Sequence, residues 1–394
     1  MWTGSATSAL GDAVVQIALI FAILRIGGTA SDIGAVLAAT TVARVAFLLA
    51  GGVWADRLRR QYVMLAADGV RGVVQAGLAA LLLSGHAHIW ELAVGGALYG
   101  AAASFFEPAS TALVPETVPA EQLQQANSLL GLPHSFFSVA GPAAGGVLIA
   151  VFGPGWLFAA DTASFFVSLV CLALLRVPPR PVPAARPFLA DLAEGWHELA
   201  IRPWYWANLL AHACCNFVVP ALFVLGPVIA ARSLGGAPDW GALSASWGAG
   251  AVAGGIVGLR VKPRRPLVAA DLLMAGISLP LLALAFSRSL ALIAAAEAVF
   301  GFTMIVGNSV WVTAMQVLIP DVVRARVGAY DGFASLVIMP AGWLVMGPLS
   351  SSIGFAPTLV VAAAIGSIPC ALVALVPQVR GVHRTPAGEI VVDA

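Results

Sequence analysis

Apolar runs long enough to cross a bilayer recur twelve times along the chain, at about 6–26, 33–54, 62–84, 88–112, 126–152, 155–176, 204–231, 240–261, 266–286, 289–317, 329–351 and 354–376. Each approaches the roughly 20 residues that a helix needs to span about 30 Å of hydrocarbon. Between them stand chain breakers: Gly27-Gly28, Ser84-Gly85, Gly153-Pro154-Gly155, Gly235-Gly236 and Pro320. A backbone in lipid must satisfy its own hydrogen bonds, so runs of this length are helices. The pattern predicts an all-α integral membrane protein. The first run lacks an early Lys or Arg and is read as a span, not as a cleavable signal.

Composition agrees with the pattern. The 394 residues are 60% hydrophobic and 10% charged, against about 25% charged in a soluble domain. A formal net charge of +1 offers nothing to a nucleic acid. The four cysteines, Cys171, Cys214, Cys215 and Cys370, lie inside apolar runs, without metal-ligand spacing or a disulfide framework, and are expected to be buried free thiols. Charge placement is more informative than charge total. Loops on one side hold Arg57, Arg59, Arg60, Arg176, Arg180, Arg186, Arg202, Arg260, Lys262, Arg264, Arg265, Arg324, Arg326, Arg380 and Arg384, and loops on the other hold Arg25, Arg232 and Arg288. The positive-inside rule then puts both termini in the cytoplasm, in the inner (plasma) membrane of a cell.

Residues 177–203 break the apolar rhythm. Pro178-Pro179-Arg180-Pro181-Val182-Pro183 is stiff, and Phe188, Leu189, Leu192, Trp196, Leu199 and Ala200 then recur at helical spacing, which predicts an amphipathic helix on the inner face. The flanking halves are repeats. Gly51-Gly52 returns as Gly254-Gly255 and Asp68 as Asp271, both 203 residues on, and the Pro115 region returns at Pro320 after 205. Parallel repeats of this kind predict two pseudo-symmetric six-helix bundles. The domains are therefore 1–176, a linker at 177–203, 204–378, and a cytoplasmic tail at 379–394. Trp204, Tyr205 and Trp206 are expected in an interfacial aromatic belt.

Several local stretches resemble one family. Gly52, Asp56, Arg57 and Arg60, in the tight loop after the second span, resemble the loop joining helices 2 and 3 of major facilitator superfamily transporters, with Arg59 where a glycine is usual. Gly141-Pro142-Ala143-Ala144-Gly145-Gly146 looks like the core of that superfamily's helix-5 antiporter motif, although Pro133 and Phe137 stand where upstream glycines are expected. Phe105-Phe106-Glu107-Pro108-Ala109 and the segment Asp161 to Ser168 are similar to the branch of enterobactin-exporter-like and macrolide-efflux-like proteins. The resemblance implies a latch: Asp56 facing a helix N-terminus of the other half, Arg57 and Arg60 reaching Glu107, with Asp68 and Arg71 extending it.

Ionisable groups inside hydrocarbon are costly, so each is a candidate site. Asp12 lies about ten residues into the first span, roughly 15 Å deep, with Gln16 one turn later. Arg44 lies at similar depth in the second. An Asp12–Arg44 pair is expected, either as a coupling device that a proton opens or as a fixed structural pair. Glu297 is near mid-depth in the tenth span, either as a proton or substrate group or as a link between helices. Asn208, His212 and Asn216 recur every four residues in the seventh, as a polar stripe along a cavity or as interhelical glue. Asp161, in the sixth, is read equally as a packing residue or a transport residue.

Function follows from the architecture and the resemblance together. The expectation is a secondary active transporter, a proton-coupled exporter of small amphipathic molecules of drug, macrolide or siderophore type, working by alternating access. The alternatives are uptake or facilitated transport on the same fold, or a non-transporting receptor or assembly protein. No Walker loop, H-E-x-x-H or G-x-S-x-G is present, so neither an enzyme nor a self-contained ATP-driven pump is expected. The partners are a small-molecule substrate and the lipid bilayer, with no nucleic acid and a monomeric chain. No cofactor or metal is expected; the energy source is the proton gradient.

Overall fold

The computed structural model of the protein describes residues 2–119, 122–175, 201–385 and 389–392, with the side chains of 49–57, 115, 116, 124, 128, 321–326 and 328–334 outside that description. Twelve long helices occupy the described residues: α1 Trp2–Arg25, α2 Ala30–Arg57, α3 Arg60–Ser84, α4 Ile89–Thr117, α5 Leu123–Phe152 and α6 Pro154–Ala173 in the first half. The second half holds α7 Pro203–Ser233, α8 Ala237–Gly258, α9, α10 Leu290–Leu318, α11 Asp321–Ile353 and α12 Phe355–Val373. The α9 helix is interrupted. Pro266–Met274 passes through a single 3-10 turn, Ala275–Ile277, into Ser278–Phe286. Eleven of the twelve have the length and hydropathy of membrane spans; α8 is long enough but less apolar, being rich in Gly and Ala. The amphipathic helix expected within 177–203 falls almost wholly outside the described residues.

Turn chemistry sets the joints. Gly153, at φ 81°, ends α5 and caps α6, whose first residue Pro154 already has a helical φ. Gly354, at φ 90°, does the same between α11 and α12, so the corresponding joints of the two halves are built alike. At two other joints acids bond back to the start of a helix: Asp32 accepts from the Thr29 N–H at 2.8 Å and Asp239 from the Gly235 N–H at 2.7 Å.

The chain forms two compact units, Met1–Ala184 with Pro227–Ala245, and Ala185–Gly226 with Ser246–Ala394. Within each, small residues bring backbones together, as expected where lipid gives no hydrophobic drive between helices. A Cβ on Gly100 would stand 2.2 Å from the Thr40 carbonyl oxygen, which fastens α4 to α2. In the second unit a Cβ on Gly250 would stand 1.8 Å from the Ala298 carbonyl, and one on Gly301 2.0 Å from that of Trp247, fastening α8 to α10.

One expectation fails near the chain end of the second unit. Trp204 and Tyr205 are buried, 6% and 1% exposed, so only Trp206, at 48%, suits an interfacial belt. The tail is also structured. After a short α13 (Pro377–Arg380), Val382–Arg384 (β1) and Ile390–Val392 (β2) form an antiparallel hairpin, with Arg384 donating its N–H to the Arg264 carbonyl at 2.7 Å. Val379, Val382 and Ile390 pack into the cluster formed by Trp204, Tyr205, Val310 and Trp311. Apolar side chains placed alternately in a tail bury against an apolar floor when one is in reach, and the first turn of α7 provides it.

Candidate transport site

The first unit holds a buried polar network. On α3, Asp68, Arg71 and Gln75 follow helical spacing and share one face; on α6, Asp161, Ser164 and Ser168 do the same. The two helices run antiparallel, so the faces meet end for end. Ser168 donates to Asp68 at 2.6 Å, and Gln75 donates to Asp161 at 2.6 Å. Ser164 adds a bond to Asp161 at 3.2 Å. Arg71 pairs with Asp68, and its guanidinium lies over the rings of Phe106 at 4.3 Å, Phe165 at 4.8 Å and Tyr99 at 5.8 Å. Asp68, Arg71 and Asp161 are 0%, 4% and 1% exposed.

Tyr99 on α4 joins this network to Asp12, donating its phenol O–H to the Asp12 carboxylate. Asp12 is half-buried, and its neighbour Gly11 is pressed against the second acid: a Cβ there would stand 2.0 Å from Asp161 Oδ1. Gln16 is exposed one turn farther along α1. The described core of the unit therefore gathers three carboxylates, Asp12, Asp68 and Asp161, around one guanidinium.

The expected Asp12–Arg44 pair is not formed. Depth along two helices agrees, but azimuth does not: Arg44 turns toward α4 and places Nη2 2.6 Å and 2.7 Å from the two Glu107 oxygens. That contact also changes the expected latch. Glu107 is held by Arg44, while Arg60 donates to the Ala112 carbonyl at 2.6 Å. Asp68 and Arg71, expected to extend the latch from the third helix, lie in the buried network, because their face of α3 points at α6. Gly52, Asp56 and Arg57 lie in α2, with their surroundings outside the described residues. The helix-5 glycines act as contact points. A Cβ on Gly141 would stand 2.5 Å from that of Ala13, and one on Gly145 3.5 Å from Val14, so α5 closes on α1 beside Asp12; Pro142 sits between, inside the helix. A Cβ on Gly146 would stand 2.4 Å from the Ala237 carbonyl.

The second unit is arranged otherwise. Asn208 is fully buried and spends its amide on the Trp204 carbonyl at 2.6 Å. His212 lies against Trp311 at 4.8 Å between ring centroids, with Nε2 3.4 Å from Asp271 Oδ1 on α9. His212 and Asn216 line a cavity of about 160 Å³ with Phe300, Met304 and Asn308 of α10. Glu297 lies on the same stripe of α10, one turn before Phe300, 4% exposed. Cys215 and Cys370 are buried free thiols 3.3 Å apart, while Cys171 and Cys214 are half-buried. Among the described residues no group of three His, Cys, Asp or Glu side chains could hold a metal ion.

This architecture and these motifs have relatives. Residues 1–343 match the Major Facilitator Superfamily. The chain belongs to that superfamily. It is therefore a membrane transporter, from a family of transporters and not of enzymes. Macrolide efflux protein A of Streptococcus pyogenes is 24% identical over 361 residues, 90% of this chain and 89% of that one. The enterobactin exporter of Salmonella paratyphi A is 36% identical over 147 residues, 37% of this chain and 36% of that one. Among solved structures, a bacterial homolog of the human lysosomal transporter Spinster, inward-facing and unoccupied, superposes with a TM-score of 0.76 at 15% identity, covering 96% of this chain and 95% of that one. A D-xylose-proton symporter superposes with a TM-score of 0.71, also at 15% identity, covering 96% and 97%. Both expectations drawn from the resemblance, the twelve-helix superfamily fold and kinship with efflux proteins, hold.

Sequence reasoning missed two members of the network. Gln75 was legible, since it continues the Asp68–Arg71 face by one more turn. Tyr99 was not, because no polar neighbour accompanies it at helical spacing on α4.

Proposed function

We propose that the protein is a proton-coupled exporter of small amphipathic molecules, seated in the inner (plasma) membrane with both termini cytoplasmic. The observation that carries this is the charge balance in the first unit. Three carboxylates share a single guanidinium in surroundings that strongly disfavour net charge, so a proton taken up by the cluster brings it closer to neutrality. Asp12 is the member that exchanges them. It is the least enclosed of the three, and a neutral phenol holds it instead of a cation, so it gains or loses a proton without breaking an ion pair. Asp68 and Asp161 keep their partners on α3 and α6 and hold the site in shape. Proton uptake at Asp12 removes its charge and weakens its hold on Tyr99, and α1 and α4 then change their contact as the transporter rocks. Gly52, Asp56, Arg57 and Arg60 act at the α2–α3 turn as the conformational latch. The export direction and the amphipathic cargo are supported by the two efflux relatives.

The test uses inside-out vesicles containing the protein, an internal pH dye, and a panel of macrolides, catecholate siderophores and lipophilic cations. The expected result is proton efflux on adding one of these classes, abolished by Asp12→Asn with substrate binding retained. Efflux unaffected by Asp12→Asn would remove Asp12 from this role and move the coupling to Glu297. No proton movement with any compound, together with accumulation in intact cells, would overturn export.

A further inference from the structure

The second unit contains a feature that proton coupling does not use. The cavity of about 160 Å³ is walled by α7, α9, α10 and α11, all inside this unit. Phe300 and Trp311 supply aromatic faces; Met274 and Met304 supply flexible apolar ones that adapt to rings of different substitution. Apolar cavities of this size in proteins accept a single six-membered ring. Among the described wall residues none carries a fixed charge.

The polar side of the same wall is incomplete. Asn208, His212 and Asp271 are 0%, 5% and 0% exposed. Asn208 Oδ1, His212 Nε2 and both Asp271 oxygens make no hydrogen bond, which accounts for half of the eight such buried atoms among the described residues. Buried polar groups are normally satisfied, so these four atoms keep hydrogen-bonding capacity to spare. His212 is the member that reaches the cavity. His212 Nε2 lies 3.4 Å from Asp271 Oδ1, and in the neutral tautomer that carries its proton on Nε2 the ring offers Nδ1 as an acceptor. The 3-10 turn of α9 also belongs to this site, since Met274 precedes it, Ile277 ends it, and both line the cavity. A turn of this kind inside a helix is a common place for a hinge.

We propose that this cavity is a recognition subsite for an uncharged, single-ring portion of the cargo that bears a hydroxyl or amide donor. The ring sits between Phe300, Met304 and Trp311, and the donor bonds His212 Nδ1, with Asn216 and Asn308 at hand for a second polar contact. Asp271 acts behind His212 as a positioning residue, not as a contact. The proposal names the substrate class of the transport reading and in that sense rests on it.

The test is direct binding to the full-length protein in nanodiscs without a proton gradient, by fluorine NMR, with empty nanodiscs as reference. The probes are para-fluorophenol, fluorobenzene and para-fluorobenzylammonium. The expected order places para-fluorophenol roughly tenfold above fluorobenzene, the worth of one good hydrogen bond, with the ammonium probe weakest. His212→Phe should reduce para-fluorophenol to the level of fluorobenzene, and Met304→Trp should weaken both at least tenfold by filling the space. If Met304→Trp does not elute as a single species, Ile277→Phe fills the same space from α9. Equal binding before and after filling, or preference for the ammonium probe, would overturn the proposal. Binding that follows this pattern while no ring compound moves protons would sink the transport reading and leave the subsite standing.

Discussion

Asp68 and Asp271 are repeat-related acids, 203 residues apart, each 0% exposed, in helices of the same rank in their halves. Asp68 has an arginine one turn on and a serine across the helix contact. At the position corresponding to Arg71 the second half has Met274, and the nearest cationic candidate for Asp271 is His212, without a hydrogen bond. One half thus saturates its buried acid and becomes stiff there. The other leaves it undersupplied beside a cavity. Duplication supplied the same carboxylate twice, and the residue one turn later decided whether it became a strut or part of a recognition site.

The comparison breaks most easily at Arg71. Arg71→Met copies the second half into the first and strands Asp68, which should cost about 3–5 kcal/mol. The unfolding midpoint of the purified protein would fall steeply, and adding Asp68→Asn should restore at least half of the loss. Next in size is a contrast of sign. Asp68→Asn should destabilise by about 2–3 kcal/mol, because Arg71 loses its counter-charge, whereas Asp271→Asn should be neutral or stabilising, because it removes a poorly partnered buried charge. Equal losses at the two positions would refute the distinction. Gly141→Val should cost about 1–3 kcal/mol by overpacking α5 against Ala13, with transport reduced because Asp12 is the adjoining residue. The smallest stability effect belongs to Tyr99→Phe, about 1 kcal/mol for one hydrogen bond. Its signature is functional: roughly a tenfold drop in proton-driven transport, of the size expected when a group that orients a proton carrier is lost.

The spans were legible in the sequence because hydrocarbon imposes length and hydropathy on every one of them, and the joint at Gly153 was legible from its Gly-Pro-Gly. The repeat was legible because acids and glycines returned at one offset. What depth along a helix does not supply is azimuth. Asp12 and Arg44 were matched by depth, yet Arg44 points to Glu107; Asp68 and Arg71 were read as extending the latch, yet their helical face meets Ser168 on α6. The polar stripe of Asn208, His212 and Asn216 was readable from its spacing, but its partner Asp271 lies on another helix at a distance no pattern encodes. The Trp204–Tyr205 pair had the composition of a membrane belt and became core because a hairpin covers it.

That hairpin has a consequence for biosynthesis. The cluster around Trp204, Tyr205 and Trp311 is closed by Val379, Val382 and Ile390, so the first turn of α7 is made early and buried last. While the rest of the second unit is translated, these two aromatic rings precede the strands that pack on them, and β1 and β2 must both be made before the hairpin can cover them. Membrane insertion of α7 and the packing of the hairpin on its first turn are therefore separate events in time.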